Sequence, residues 1–324
     1  MKPLQLLVTT IHGSHLYGTS TPESDRDYKG VHLPSGQGIL LQRPENVMDS
    51  SQVIKDHRGK NTGDSIDHQS YSVAKFVQML ADGDGVATEI LFAPDWAIVE
   101  AHEDWETLRN DARKLLNREV KGFVGYCKQQ AGKYGIKGSR MAAVEKLVDM
   151  LGNAIEKHGE KARLEVIEDE LREMADKVEH INFVMVVGGH GKEIGHVECC
   201  ERKMAVRGQI GETYKVFNKV WKNYGERARA AKTNEGVDWK SISHAVRVAS
   251  QATELLKTGF ITFPRQDAEY LLAIKQGKFE YKDIAPKLED MIDRLDLIES
   301  VLPPETDPVM MDEIILPRYL SQIR

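Results

Sequence analysis

The sequence is poor in cysteine and has no long apolar run, and both absences restrict what the protein can be. Only three cysteines occur, Cys127, Cys199 and Cys200, and two are adjacent, so we expect a reducing compartment rather than a disulfide framework. Lys2 and Pro3 lead into only a short strand-like run, and no segment approaches the length that spans a bilayer. We therefore expect a cytoplasmic protein that has no membrane partner.

An excess of positive charge is also missing. The 324 residues carry a formal net charge of −6, which argues against a basic coat for nucleic acid but is compatible with a local basic groove. With 41% hydrophobic and 29% charged residues, the chain has enough apolar material for one large core or two smaller ones. Any contact with nucleic acid is expected to be local.

Apolar runs near the N-terminus predict a small mixed sheet. Leu4–Ile11 is an apolar, β-branched run that a glycine ends, which is typical of a buried strand. Asp27–Leu33 and Ser65–Tyr71 predict two more strands, and Tyr71–Leu80 has the spacing of a helix. Short strands mixed with helices indicate an α/β arrangement over residues 1–115.

Helical patterning dominates after about Trp105. Two apolar stripes at helical spacing predict a helical hairpin at about residues 139–181, and two strand-like runs about a glycine-rich turn predict a β-hairpin at about 182–206. The charged outer face of the helical hairpin favours a structural arm, since a partner-binding coiled coil would need sustained heptads. The fold class is therefore α+β, with a small mixed-sheet domain over 1–115 and a mostly helical domain over 116–324.

The stretch HGSHLYGTSTPESDRDYKGV, residues 12–31, places two like charges close together after the first predicted strand. Asp25 and Asp27 lie two residues apart, so on an extended strand both carboxylates project to the same side and repel unless a cation lies between them. Carboxylate oxygens are the ligands that Mg²⁺ or Mn²⁺ prefers. An ordinary turn with two solvated carboxylates is the alternative interpretation.

The residues before this acidic pair favour a phosphate ligand. Gly13 and Ser14 lie between a predicted strand and a predicted short helix, where backbone N–H groups and a hydroxyl can bind phosphate oxygens. A Gly-Ser pair alone is common, but the order strand, Gly-Ser, loop, Asp-x-Asp, strand is much more specific. The Gly-Ser pair and the Asp-x-Asp pair together predict a site for a phosphate group and a divalent cation.

Three parts of the chain resemble a known family. GSHLYGTSTPESDRDYKGV resembles the signature of the DNA polymerase β-type nucleotidyltransferase superfamily, in particular the bacterial and phage branch that includes proteins associated with RNA-repair ligases. DHQSYSVAKFVQML, followed by ATEILFAP, is similar to a further pattern of that branch. WKSISHAVRVASQATELLKTGFITFPRQDAEYLLAIKQGKFEY resembles its helical domain. The resemblance covers roughly residues 1–100 and Asp238–Tyr281.

The resemblance implies that residues 1–115 form a nucleotidyltransferase domain whose reaction uses two metal ions. Asp25 and Asp27 would bind the metals and Asp67 would be the third carboxylate, with Asp64 as the alternative in the segment GDSID. Two metals would stabilise the attacking and the leaving oxygen of an in-line displacement at the α-phosphorus. Ser14 would hold the pyrophosphate part of the incoming nucleotide.

The resemblance also implies that the helical domain supplies positive charge for the triphosphate. Lys240, His244 and Arg247 are spaced by four and three residues, so they share one face of a helix. A solvated basic stripe is the alternative interpretation of this face. On the family pattern we expect all three to bind the nucleotide.

A second basic set lies in the segment CKQQAGKYGIKGSR. Its members Lys128, Lys133, Lys137 and Arg140 surround Tyr134 and three glycines. Such a segment could follow a nucleic-acid backbone and stack a base, or hold the triphosphate itself. We expect Lys137 and Arg140 to be nucleotide-binding residues.

Two classes of function stay open at this point. The first is a metal-dependent nucleotidyltransferase that moves a nucleoside monophosphate from a nucleoside triphosphate to an acceptor hydroxyl and releases pyrophosphate. An RNA end is the favoured acceptor, and a protein or a small molecule is the alternative. The second class is a non-catalytic nucleotide-binding or regulatory module. Paired metal ligands favour the first class, because a pure binding module has no need of them.

Overall fold

The computed structural model describes residues 1–52, 54, 65–118, 123, 125, 138–187, 192–200, 202–233, 237–295 and 297–324. The fold is mixed α and β, as the sequence predicts, and has a five-stranded and a three-stranded sheet. The chain divides into two compact units. The first unit contains Met1–Tyr126, Ser243–Gln276 and Arg294–Arg324, and the second contains Cys127–Ile242 and Gly277–Asp293.

The first unit is built on a mixed five-stranded sheet. Its strands are β1 (Gln5–His12), β2 (Arg26–Leu33), β3 (Val47–Asp49), β4 (Ile66–Ser72) and β5 (Ile98–Ala101). They lie in the order β3-β4-β2-β1-β5, and β2 and β4 are parallel while the other neighbours are antiparallel. The three predicted strands therefore exist as β1, β2 and β4.

Five helices occur in the described part of the N-terminal segment. They are α1 (Gly13–Tyr17), α2 (Gly36–Leu40), α3 (Val73–Ala81), α4 (Gly85–Phe92) and α5 (Trp105–Ala112). Helix α3 begins after Ser72, whose hydroxyl accepts the N–H of Lys75, and it buries Phe76 and Leu80. Helix α4 begins after Asp84, whose carboxylate accepts two backbone N–H groups of the first turn. The predicted helix over Tyr71–Leu80 is thus present, and its start is set by the Ser72 cap.

The second unit contains helices and strands in the ranges where a helical hairpin and a β-hairpin are predicted. Its elements are α6 (Gly138–His158), a 3₁₀ turn (Leu164–Ile167), α7 (Glu168–Lys177), β6 (Ile181–Val187), β7 (Glu193–Cys199), β8 (Arg202–Ala205) and α8 (Ile210–Thr233). The apolar stripe of α6 packs against α8, and Val144, Leu151, Leu171 and Phe217 belong to one buried core. The antiparallel pair β6-β7 is joined by β8, an additional strand within the predicted range 182–206.

Four helices complete the chain: α9 (Trp239–Thr258), α10 (Ala268–Lys275), α11 (Tyr281–Leu295) and α12 (Pro308–Ile323). Helix α12 packs against α2 and α3, and the backbone N–H of Lys2 donates to the carbonyl of Gln322 at 2.9 Å. The first unit therefore differs from the predicted domain over 1–115, because α12 and much of α9 pack with the N-terminal elements. Within the described ranges, no helix combines the length and the apolar character needed to cross a bilayer.

Candidate active site

The turn between β1 and α1 brings Gly13 against an aspartate of β2. Gly13 has a φ of +62°, and a Cβ atom built on it would lie 1.9 Å from Oδ2 of Asp27. Only glycine gives both the backbone conformation and the space for this carboxylate. Ser14 follows in α1, and its carbonyl accepts the backbone N–H groups of Gly18 and Thr19. The predicted Gly-Ser turn and Asp27 therefore lie side by side.

Strand pairing brings two of the predicted carboxylates together. Asp27 on β2 is opposite Asp67 on β4 in the parallel register, and it is opposite His12 on β1. Asp25 lies just before β2 begins. Burial, and then the negative charges of Asp25 and Asp67, raise the pKa of Asp27 above its ordinary value of 3.8. A cation bound beside Asp27 would relieve this repulsion.

Asp67 is held by other side chains. Nζ of Lys29 lies 3.2 Å from Oδ1 of Asp67, and the Ser51 hydroxyl donates to the same oxygen at 3.2 Å. In the part of the chain that the structure describes, no three His, Cys, Asp or Glu side chains are placed to hold a metal ion as they stand. Asp64, the alternative third carboxylate, lies outside the described residues.

The donor set fits the divalent cation that the family resemblance implies. Asp27 and its two acidic neighbours offer hard carboxylate oxygens, which Mg²⁺ and Mn²⁺ prefer. The close approach of Asp27 to Gly13 places this charge beside the turn that is predicted to bind phosphate. The predicted metal ligand Asp27 and the turn that is predicted to bind phosphate therefore lie at one end of the pair β1-β2.

A buried glutamate connects the Gly-Ser turn to α9. Glu89 on α4 is 3% exposed, and its Oε2 lies 2.8 Å from Nε2 of His12 and accepts the Tyr17 hydroxyl at 2.8 Å. Its Oε1 accepts Nη1 of Arg247 at 2.6 Å and the side-chain amide of Gln251 at 3.0 Å. One carboxylate therefore holds the residue before α1, the last residue of α1 and two residues of α9.

The ionised form of Glu89 is favoured in this environment. Burial alone would raise its pKa, but the positive charge of Arg247 and the contacts with His12 and Tyr17 hold the pKa of Glu89 well below its usual value. Burial also raises the pKa of Tyr17, so its hydroxyl stays a proton donor. Sequence analysis did not assign a role to Glu89, although a charged residue inside the apolar helix VATEILF is a signal for one.

The predicted basic residues lie in different surroundings. Lys240 and His244 are exposed on α9, whereas Arg247 is buried, and its guanidinium stacks 3.8 Å from the centre of the Tyr17 ring. Arg140 is also buried and forms ion pairs with Glu289 at 3.1 Å and Asp293 at 2.9 Å, all within the second unit. Lys128, Lys133, Tyr134 and Lys137 lie outside the described residues.

Comparison with known proteins finds sequence similarity over most of the chain. The family RlaP, described as RNA repair pathway DNA polymerase beta family, matches residues 2–156. An uncharacterized 38.9 kDa protein of Enterobacteria phage T4, from the nrdC-mobD intergenic region, is 33% identical over 301 residues, which cover 90% of this chain and 89% of the phage protein. No solved structure is significantly similar to this chain. The family match includes Gly13, Ser14 and the carboxylates of β2 and β4, and the phage relative extends the similarity to the second unit.

Proposed function

This chain belongs to the RNA repair pathway DNA polymerase beta family, and on that premise we propose that it moves a nucleoside monophosphate from a nucleoside triphosphate to an acceptor hydroxyl. Membership of this family gives the chain a general nucleotidyltransferase role. The observation that carries the finer proposal is the pairing of Asp27 with Asp67 on parallel strands, beside the close contact of Asp27 with Gly13.

Asp25, Asp27 and Asp67 are the proposed ligands of Mg²⁺ or Mn²⁺. When bound, the metal would supply positive charge for the α-phosphate and for the departing pyrophosphate. Gly13 lets Asp27 lie against the turn, and Ser14 offers its hydroxyl to the pyrophosphate part of the nucleotide. The protein contributes mainly position and charge, as is general for phosphoryl transfer.

The basic residues divide into two proposed roles according to their burial. Lys240 and His244 are exposed, so we assign them to direct contact with phosphate groups, and we assign Lys137 to the same role from the sequence pattern. Arg247 and Arg140 are buried in ion pairs, so they act through the carboxylates that they contact. Arg247 in particular would support the Gly-Ser turn through Glu89.

An RNA end is the proposed acceptor. The family is described as belonging to an RNA repair pathway, and a 3′-terminal hydroxyl is a nucleophile of the kind that this reaction needs. A protein hydroxyl and a small-molecule hydroxyl are the alternatives that the same experiment tests.

The experiment uses α-³²P-labelled ATP, GTP, CTP and UTP, each with Mg²⁺ or Mn²⁺ and with RNA, protein and small-molecule acceptors. We expect label on an RNA end, release of pyrophosphate, and loss of transfer in EDTA. Asp27→Ala should lower the rate roughly 100-fold or more, because a catalytic metal supplies several kcal/mol and each ~1.4 kcal/mol is a factor of ten. Asp49→Ala, on strand β3 of the same sheet, is the matched control. Binding of nucleotide without transfer to any acceptor would instead support a regulatory module.

A further inference from the structure

Lys29 extends along the acidic side of the sheet and is almost fully buried. It lies on β2, two residues after Asp27, and is 8% exposed. Residues two apart on a strand share a face, so Lys29 and Asp27 lie on the same side of the sheet. The hydroxyl of Thr10 donates to the carbonyl of Lys29 at 3.0 Å, which fixes the backbone at this position.

The ammonium group of Lys29 is bound by two side chains of β4. Nζ lies 3.2 Å from Oδ1 of Asp67 and 3.2 Å from Oε1 of Gln69, and Lys29 is directly opposite Gln69 in the strand register. Among the described residues, Lys29 is the only cationic side chain within ion-pair distance of Asp67. Removing a lysine ammonium group from water is costly, and here the ion pair with Asp67 offsets that cost.

The contact competes with coordination of a metal by the same carboxylate. Oδ1 of Asp67 already receives Lys29 and the Ser51 hydroxyl, both at 3.2 Å. Asp25, Asp27 and Asp67 together carry three negative charges in one region of the first unit, and the positive charge of Lys29 acts on Asp27. An ammonium group and a divalent cation repel each other, so they cannot both bind this oxygen strongly.

We propose that Lys29 is an internal counter-cation of the carboxylate site, which holds Asp67 until a divalent cation displaces its ammonium group. Lys29 is a positioning residue in this role, since it acts through Asp67. The proposal rests on the metal assignment of the proposed function. It accounts for the contact that Asp67 makes with the buried ammonium group of Lys29 in the described structure.

The test measures Mn²⁺ binding without nucleotide or acceptor, by electron paramagnetic resonance of free Mn²⁺. Lys29→Met should bind Mn²⁺ roughly five- to tenfold more tightly than the wild type, the scale of one partly buried ion pair. Lys75→Met, which removes one positive charge from an exposed position of α3, is the matched control and should change the affinity little. Lys29→Arg keeps the charge and should not tighten binding.

A second measurement addresses the effect on folding. Without metal, Lys29→Met should melt at a lower temperature than the wild type, because three carboxylates lose a counter-charge. Mn²⁺ should then raise the melting temperature of Lys29→Met by more than it raises that of the wild type. In the wild type labelled with ¹⁵N at lysine Nζ, Mg²⁺ should shift the Lys29 signal and leave the Lys75 signal in place.

The outcomes separate this inference from the proposed function. If the wild type binds Mn²⁺ and Lys29→Met binds it no more tightly than Lys75→Met, the counter-cation role is wrong while the metal assignment stands. If neither the wild type nor any variant binds Mn²⁺, the metal assignment fails and this inference fails with it. If only Lys29→Met binds Mn²⁺, the result would mean that Lys29 prevents Mn²⁺ binding in the wild type, which supports the inference.

Discussion

At the scale of single residues, the ionised form of Asp27 is disfavoured by its surroundings in the folded protein. Its carboxylate is partly buried and faces two others, so the folded protein ionises it less readily than the unfolded chain does. A pKa that is raised on folding means that ionised Asp27 destabilises the fold above the raised pKa, and that this destabilisation disappears below the unfolded value of 3.8.

Asp27→Asn should therefore raise the melting temperature at neutral pH in EDTA, and the gain should shrink to nothing as the pH falls below 3.8. Asp49→Asn on β3 is the matched control, and its effect on stability should have the opposite sign. Hydrogen bonds from Ser51 and Gln69 lower the pKa of Asp49 to about 2, so Asp49→Asn should be less stable than the wild type at neutral pH. Thermal denaturation between pH 3 and 8 checks both, and an Asp27→Asn variant that melts lower at pH 7 would contradict the assignment.

Local residue patterns predicted part of this site and missed the rest for a physical reason. Asp25, Asp27 and Gly13 lie within one short stretch, where strand geometry and turn chemistry depend on neighbours in the sequence. The contact of Lys29 with Asp67 joins residues 38 apart, and that of Arg247 with Glu89 joins residues 158 apart. Such pairs depend on tertiary packing, which the spacing of charges along the chain does not encode.

At the scale of elements, the ion pair of Glu89 and Arg247 connects α4 to α9. Glu89→Gln should lower the free energy of unfolding by about 3–5 kcal/mol, because it removes the buried carboxylate charge that Arg247 contacts at 2.6 Å. The double variant Glu89→Gln with Arg247→Met should be less destabilised than the sum of the single variants. Urea denaturation of the four proteins measures this coupling.

The same pair has a defined pH dependence. The pKa of Glu89 is held below 4.5 in the folded state, so its stabilisation is fully present above pH 4.5 and is lost as the pH falls towards the lowered pKa. The double variant Glu89→Gln with Arg247→Met should lack this acid-dependent part of the free energy of unfolding. Ser243→Ala, which removes a buried hydrogen bond from α9 to the carbonyl of Leu271, should add simply to Glu89→Gln. Strict additivity of Glu89→Gln and Arg247→Met would argue against a coupled pair.

Periodicity predicted the existence of most elements better than it predicted how they associate. The stripe of α6 and the alternation of β7 follow directly from which face is buried. The strand β8 was not separated from the hairpin, because its four residues, Arg202–Ala205, are too short to show a period. Helix α12 was assigned to a separate helical domain, since the sequence gives no sign that its buried face meets α2 and α3.

At the scale of the whole chain, the first unit depends on residues from both ends of the sequence. Ile314 on α12 is 4% exposed, whereas Leu316, two residues later on the same helix, is 58% exposed. Ile314→Ala should destabilise the first unit by about 2–5 kcal/mol, and Leu316→Ala should change its stability by about 0.5 kcal/mol or less. Chemical denaturation followed by near-ultraviolet circular dichroism measures both. Equal effects of the two variants would mean that α12 does not stabilise the unit through its buried face.

The hydrogen bond between Lys2 and Gln322 has a consequence for synthesis on the ribosome. Strands β1, β2, β4 and β5 are complete by Ala101, but the helix that covers α2 and α3 is made only after Asp307. At about 5–20 residues per second, the nascent sheet waits on the order of ten seconds or more for its last helix. During this time its apolar surface is open to chaperones and to aggregation. A circular permutant that joins the end of α12 to the start of β1 would remove the delay, and should give a higher soluble yield in cells with few chaperones.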